Sequence, residues 1–249
     1  MTFNHALLEA ILEIRWGQSS TGEIQLNPQL FDILAQKFAR YASNKHFDLI
    51  EPVNPEIPNF IPHFVKFRYR KSAESWPCYQ LGLGIFTINQ TAEQYDEQKF
   101  VNDISDGLEI FTSSIEERIE SIVNTLTINL KYQYRFDKSP EDDPFDKLES
   151  IIGVKLYFPD KFKSEAQRIE HINLNFGLIC QSPSKTTAQI IVQNVLFDGT
   201  PGILVECNAE SKAINFFKGK PEFAQSLTSW VNDAIGFQNS IYEQLMERK

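Results

Sequence analysis

From Leu126 to Phe136 the chain alternates without a break, setting Leu126, Ile128, Leu130, Tyr132, Tyr134 and Phe136 against Thr127, Asn129, Lys131, Gln133 and Arg135. Successive side chains of a strand point to opposite faces, so a period of two held this long means a strand with one dry and one wet face. Such a strand needs strand neighbours and an apolar layer over its dry side, which commits the chain to a sheet with a cover. The first half supplies both. Leu8 to Trp16 puts Ala10, Leu12, Ile14 and Trp16 opposite Glu9, Glu13 and Arg15. His63 to Arg70 sets Val65, Phe67 and Tyr69 against Lys66, Arg68 and Arg70, and Tyr79 to Thr87 alternates again, so these two runs read as an antiparallel hairpin. Gly82 and Gly84 fall on the second face of that last run, where missing side chains let something pack closely.

The cover is readable too. Asn27 followed by Pro28 predicts a helix start, because Asn accepts from the first free N–H groups and Pro costs no bond at the first helical position. Leu30, Phe31, Leu34, Phe38 and Tyr41 then recur at helical spacing, as do Phe100, Ile104, Leu108, Phe111 and Ile115. Pro52, Pro55, Pro58 and Pro62 mark a connector that neither a helix nor a central strand accommodates. The order is a split β-α-β-β-α-β. Asp137 to Glu149 reads as a linker opening into a short helix. Beyond it, strands are expected at Val154–Phe158, Ile169–Cys180, Thr187–Phe197 and Ile203–Asn208, with a turn at Asp198–Gly202. Phe223, Leu227, Trp230, Ala234, Phe237, Ile241 and Leu245 make one long final helix. The expectation is an α+β protein of two abutting antiparallel sheet units, each with helices on one face: residues 1–138, and residues 139–249 as a meander closed by the long helix. One integrated domain is the alternative. The 20 Phe beside two Met serve this packing, many of them at core-facing positions.

Composition bears on function by exclusion. With 24 Lys+Arg against 33 Asp+Glu the chain carries -9, which disfavours a generic polyanion binder. The charge is segregated: residues 93–120 hold nine acids and two bases, residues 137–149 six acids and two bases, together more than the whole net charge. No run of apolar residues is long enough for a membrane span, and Glu9 interrupts the opening apolar stretch, so neither membrane nor export is expected. Cys78, Cys180 and Cys207 are too few and too scattered for a disulfide framework, which suits reduced thiols in the cytoplasm.

Chemistry-bearing patterns are sparse. His5, His46, His63 and His171 are isolated, where zinc needs converging N and S ligands. No nucleophile elbow or Walker loop occurs, and Gly82-x-Gly84 lacks the third glycine and the strand-to-helix turn of a dinucleotide site. The paired acids Glu116-Glu117 and Glu141-Asp142-Asp143 read as solvated segments. No catalytic, cofactor or metal residue is therefore assigned, and enzymatic activity is not expected; a hydrolase using such acids with Asn173 or Asn175 is the remotest reading. What remains is a surface: Lys66, Arg68, Arg70, Lys131 and Arg135 on polar strand faces, with Trp76, Tyr95 or Phe64 near them. It suits a non-catalytic accessory, adaptor or sensor that binds another protein through complementary charge. The alternative is single-stranded nucleic acid, held by phosphate pairing and base stacking.

Four segments carry a resemblance: Leu7-Leu8-Glu9-Ala10-Ile11-Leu12-Glu13-Ile14-Arg15-Trp16, Tyr79 to Gln90 followed by Tyr95, the strand Leu126–Phe136, and the helix from Trp230 through Met246. In order and spacing the chain resembles a sporadically distributed prokaryotic family of hypothetical proteins of about this length, many of whose members sit in mobile or defence-type gene neighbourhoods. Glu9, Ala10, Glu13, Ile14, Arg15 and Trp16 match the family's opening strand, while Ala6 stands at its proline. Leu130-Lys131-Tyr132-Gln133-Tyr134 replaces its usual arginine-tyrosine-isoleucine-asparagine strand. The resemblance implies a mobile-element or anti-phage setting and brings no catalytic residues with it.

Overall fold

The computed structural model describes residues 6–17, 23, 26–58, 60–115, 126–138, 144–156, 172–183, 185–214 and 220–246. In chain order these form β1 (Leu7–Trp16), α1 (Pro28–Asn44), β2 (Leu49–Pro52), β3 (Val65–Arg70), β4 (Cys78–Gly82), β5 (Ile85–Thr91), a 3-10 turn (Ala92–Gln94), α2 (Glu97–Ser114), β6 (Leu126–Asp137), α3 (Pro144–Ile152), β7 (Asn173–Ile179), β8 (Thr186–Phe197), β9 (Thr200–Ile214) and α4 (Lys220–Met246). The class is α+β. The strands pair in the order β2-β3-β4-β5-β1-β6-β9-β8-β7, each neighbouring pair antiparallel.

The split topology of the first half is present: β1 lies between β5 and β6, and α2 carries the chain across it. The two abutting units are instead one sheet, because β9 pairs with β6 from Leu126–Ile214 to Asp137–Gly202. An alternating strand shows one buried face whether it lies at an edge or at a centre, so alternation alone leaves its second neighbour open. The β8–β9 turn is Asp198-Gly199, with φ of 49° and 82°; positive φ at both central residues is what a two-residue hairpin needs to match strand twist. Val154–Leu156 form no strand, and residues 157–158 lie outside the described residues. Helix α3 ends instead at Gly153, at φ 66°, whose N–H closes on the Glu149 carbonyl.

Tyr79–Thr87 is two strands rather than one. Gly84, at φ 79°, turns the chain so that Gly82 pairs with Ile85. Ile85 and Thr87 thereby face away from Tyr79 and Leu81, and Phe86 and Ile88 take the buried side. The close packing expected at Gly82 is there, since an added Cβ would overlap the Phe64 carbonyl.

One face of the sheet carries the helices. Phe38 of α1 packs on Tyr69 and Phe86 at 4.8 and 5.3 Å, and Phe111 of α2 stacks on Phe86 at 4.9 Å. At Gly107 a Cβ would come within 2.7 Å of Ile88, so glycine sets how closely α2 approaches β5. Helix α4 is pinned at three points: the Trp230 indole N–H donates to Thr186 Oγ1 at 3.0 Å, the Gln238 amide donates to the carbonyls of Leu130 and Cys207 at 3.1 and 2.8 Å, and Tyr242 packs on Tyr134. Phe31, Phe38, Phe100, Phe111 and Phe136 are buried on this side, with Phe67, Phe176 and Phe237 half-buried, as their spacing predicts; the Phe223 side chain lies outside the described residues.

Candidate functional site: the polar face of the sheet

Helices cover one face, so the opposite face carries the alternate residues of the strands, and the register sorts them into cross-strand rows. One row runs Glu51, Arg68, Gln80, Thr87, Glu13, Asn129, Glu210. The next runs from Cys78 through Asn89, Ile11, Lys131 and Asn208 to Gln189. A third holds Thr91, Glu9, Gln133, Glu206 and Ile191. Arg68 and Lys131 stand in these rows and alternation adds Arg70 and Arg135 to the same face, whereas Lys66 sits at a register shift between Val65 and Phe67; four strand spacings, about 19 Å, separate β3 from β6. Between them lie Glu9 and Glu13.

Most of these cations are already engaged. Lys66 is buried, and its ammonium donates to the Ile57 carbonyl, tying the proline-rich connector to β3. Arg70, also buried, donates to the Ala73 carbonyl, lies 3.9 Å from Glu51 and stacks over Trp76 at 4.8 Å. Arg135 pairs with Asp137 at 3.0 Å and covers the Phe197 ring at 4.5 Å. Lys131 lies 3.8 Å from Glu206, whose two oxygens also accept from Gln133 and Asn208, each at 2.8 Å. The Nε atoms of Arg70 and Arg68 are both buried with no hydrogen-bond partner, and Arg68 differs in lacking, among the described residues, the carbonyl bond and ring contact that hold Arg70. Tyr95 lies on the helix side, its hydroxyl 2.6 Å from that of Tyr132, so it is no part of this face. Phe64 sits half-exposed at the end of the connector.

The centre of the face is a carboxylate the basic pattern did not single out. Glu9 accepts from the Asn89 amide at 2.7 Å, and Asn89 Oδ1 in turn accepts from the Thr87 hydroxyl at 2.5 Å. Burial pushes the Glu9 carboxyl above its ordinary range; the Asn89 bond and then the charges of Lys131 and Arg68 pull against that shift. Thr87 and Asn89 are 4% and 6% exposed although no described helix packs on this face. Cys78 lies beside Arg70, and burial raises its thiol against that contact, which leaves it an inert side chain rather than a nucleophile. Glu9, Asn89 and Glu206 escape sequence reading because each is an ordinary polar residue of its own strand; only the register joins them.

The remaining residues weighed from sequence lie elsewhere. Asn173 and Asn175 face Gln193 and Ile191 on β7, at the far edge of the sheet. The paired acids, His5 and His171 fall outside the described residues. His63 Nε2 meets the Trp16 carbonyl at 3.1 Å, a structural tie. Among the described residues no group of three or more His, Cys, Asp or Glu is placed to hold a metal, and no helix is long and apolar enough to cross a membrane.

Comparison with known proteins gives no relative: no family model, no curated protein and no solved structure matches the chain. The polar face must be read on its chemistry. It offers donors at Arg68 and Lys131 beside acceptors at Glu9, Glu206 and Asn208, and Arg70, Lys131 and Arg135 each lie within 4 Å of an acid. That mixture complements a surface carrying both signs better than a uniform polyanion.

Proposed function

We propose that the chain is a non-catalytic interaction protein, an accessory, adaptor or sensor, which binds another protein on the polar face of its sheet. The observation that carries this reading is Arg68: a buried guanidinium nitrogen without a hydrogen-bond partner, on a face that also presents Glu9 and the half-engaged Lys131. A buried unpaired donor is costly, and an incoming carbonyl or carboxylate relieves that cost. The mobile-element or defence setting implied by the family resemblance makes products of neighbouring genes the first partners to try.

Arg68→Glu combined with Lys131→Glu reverses the two least engaged cations of the face while leaving the helix side untouched. Affinity for a partner that co-purifies with the native chain should fall at least tenfold, about 1.4 kcal/mol. The reading is overturned if the double variant holds the partner as tightly as the native chain. It is equally overturned if the native chain binds no neighbouring gene product but binds single-stranded DNA or RNA in a salt-sensitive way that the same variant abolishes.

A further inference from the structure

The two edges of the sheet are built differently. β2 is four residues long and carries Glu51 and Pro52, devices that keep an edge from pairing. β7, Asn173-Leu174-Asn175-Phe176-Gly177-Leu178-Ile179, has no charge and no proline. Its outer side can be read from two bonds: Cys180 N–H donates to the Thr186 carbonyl at 3.0 Å, and Asn194 N–H to the Ile172 carbonyl at 3.2 Å. In an antiparallel pair the bonded positions alternate, so the even-numbered residues of β7 point their backbone groups at β8. Asn173, Asn175, Gly177 and Ile179 turn theirs outward, and no described residue pairs with them. Leu178 and Ile179 are 43% and 89% exposed.

We propose that β7 is the interface of a homodimer, in which a second copy of the chain adds its own β7 antiparallel and continues the sheet. A two-fold interface sets a residue near the axis against its own image, so an edge built for self-pairing must be free of charge there, as β7 is. Its residues also fit themselves. With the axis at Phe176, Asn175 exchanges bonds with Gly177 of the second copy, and Asn173 does so with its Ile179, which satisfies every outward residue of the strand. Phe176 then meets its own counterpart, and Leu174 meets Leu178, at the closely spaced positions on the helix side. Another protein's strand would satisfy the same backbone groups but would not require this self-matching side-chain pattern.

The test is the mass of the full native chain in solution, by sedimentation equilibrium, together with two variants. Asn175→Pro removes an outward N–H and takes no bond from β8, and Leu178→Lys puts a cation opposite an apolar residue. The native chain should be a dimer, and each variant should weaken the dimer at least about tenfold with its circular dichroism unchanged. Ile50→Lys, at the other edge, should leave the dimer intact. A native chain that stays monomeric up to about 100 μM overturns the proposal, as does a dimer that survives both folded variants. If the proline variant does not fold, Leu178→Lys decides alone.

Discussion

Asp103 shows how a single side chain sets a pH dependence. One of its carboxylate oxygens is buried without a partner, while its backbone carbonyl accepts from the Tyr79 hydroxyl at 3.0 Å, so the residue is held where burial penalises its charge. Burial raises its carboxyl from 3.8 to about 6, against the opposing pull of Lys99 and Lys71. The folded state binds this proton more tightly than the unfolded chain, so the stability it contributes is present below about pH 4 and lost as pH rises through about 6. Asp103→Asn should therefore be the more stable protein at pH 7, by about 1 kcal/mol once screening of a half-exposed group is allowed for, and the two urea midpoints should converge near pH 4. At this scale the sequence reveals which face a residue occupies and little of what it touches. Alternation places Arg68, Arg70, Lys131 and Arg135 on the polar face, but the engagement of Arg70 by Glu51 and of Lys131 by Glu206 depends on strands far apart in the chain.

At the scale of elements, amphipathic helices and alternating strands are legible because each is a local pattern; the hairpin at Gly82–Ile85 is not. An alternating run spans both β4 and β5, and a two-residue turn is visible within it only through Gly84, whose φ of 79° fits the third position of a glycine turn. Gly82 beside it has a steric reason instead, and the two kinds of glycine part company on substitution. Gly82→Ala drives a Cβ into the Phe64 backbone, which the chain relieves only by moving the connector, at about 1–3 kcal/mol. Gly236, exposed in the middle of α4, has nothing within 4 Å of an added Cβ, and Gly236→Ala should stabilise the protein by about 0.5–1 kcal/mol through helix propensity. Thermal unfolding of the two variants beside the native chain separates them by sign.

For the whole molecule, the decisive feature is the β6–β9 pairing, which nothing local announces because the partners are about seventy residues apart. It makes β6 a central strand and places Gln238 of α4 astride the seam, donating to one carbonyl on each side of it. Cutting the chain at the acidic linker would expose the long backbone edge of β6 and strip α4 from Tyr134, leaving an open apolar face. The two halves should accordingly unfold together. Trp16 reports on the first half, 5.3 Å from Phe111, and Trp230 on the second, bonded to Thr186. Variants carrying only one of these tryptophans, with the other two replaced by Phe, should show the same urea midpoint and slope once each is referred to its own stability by circular dichroism. Two separate transitions, the Trp230 signal lost before the Trp16 signal, would mean that the β6–β9 ladder is a docking surface between independent folding units; a single transition means that the ladder is part of one core.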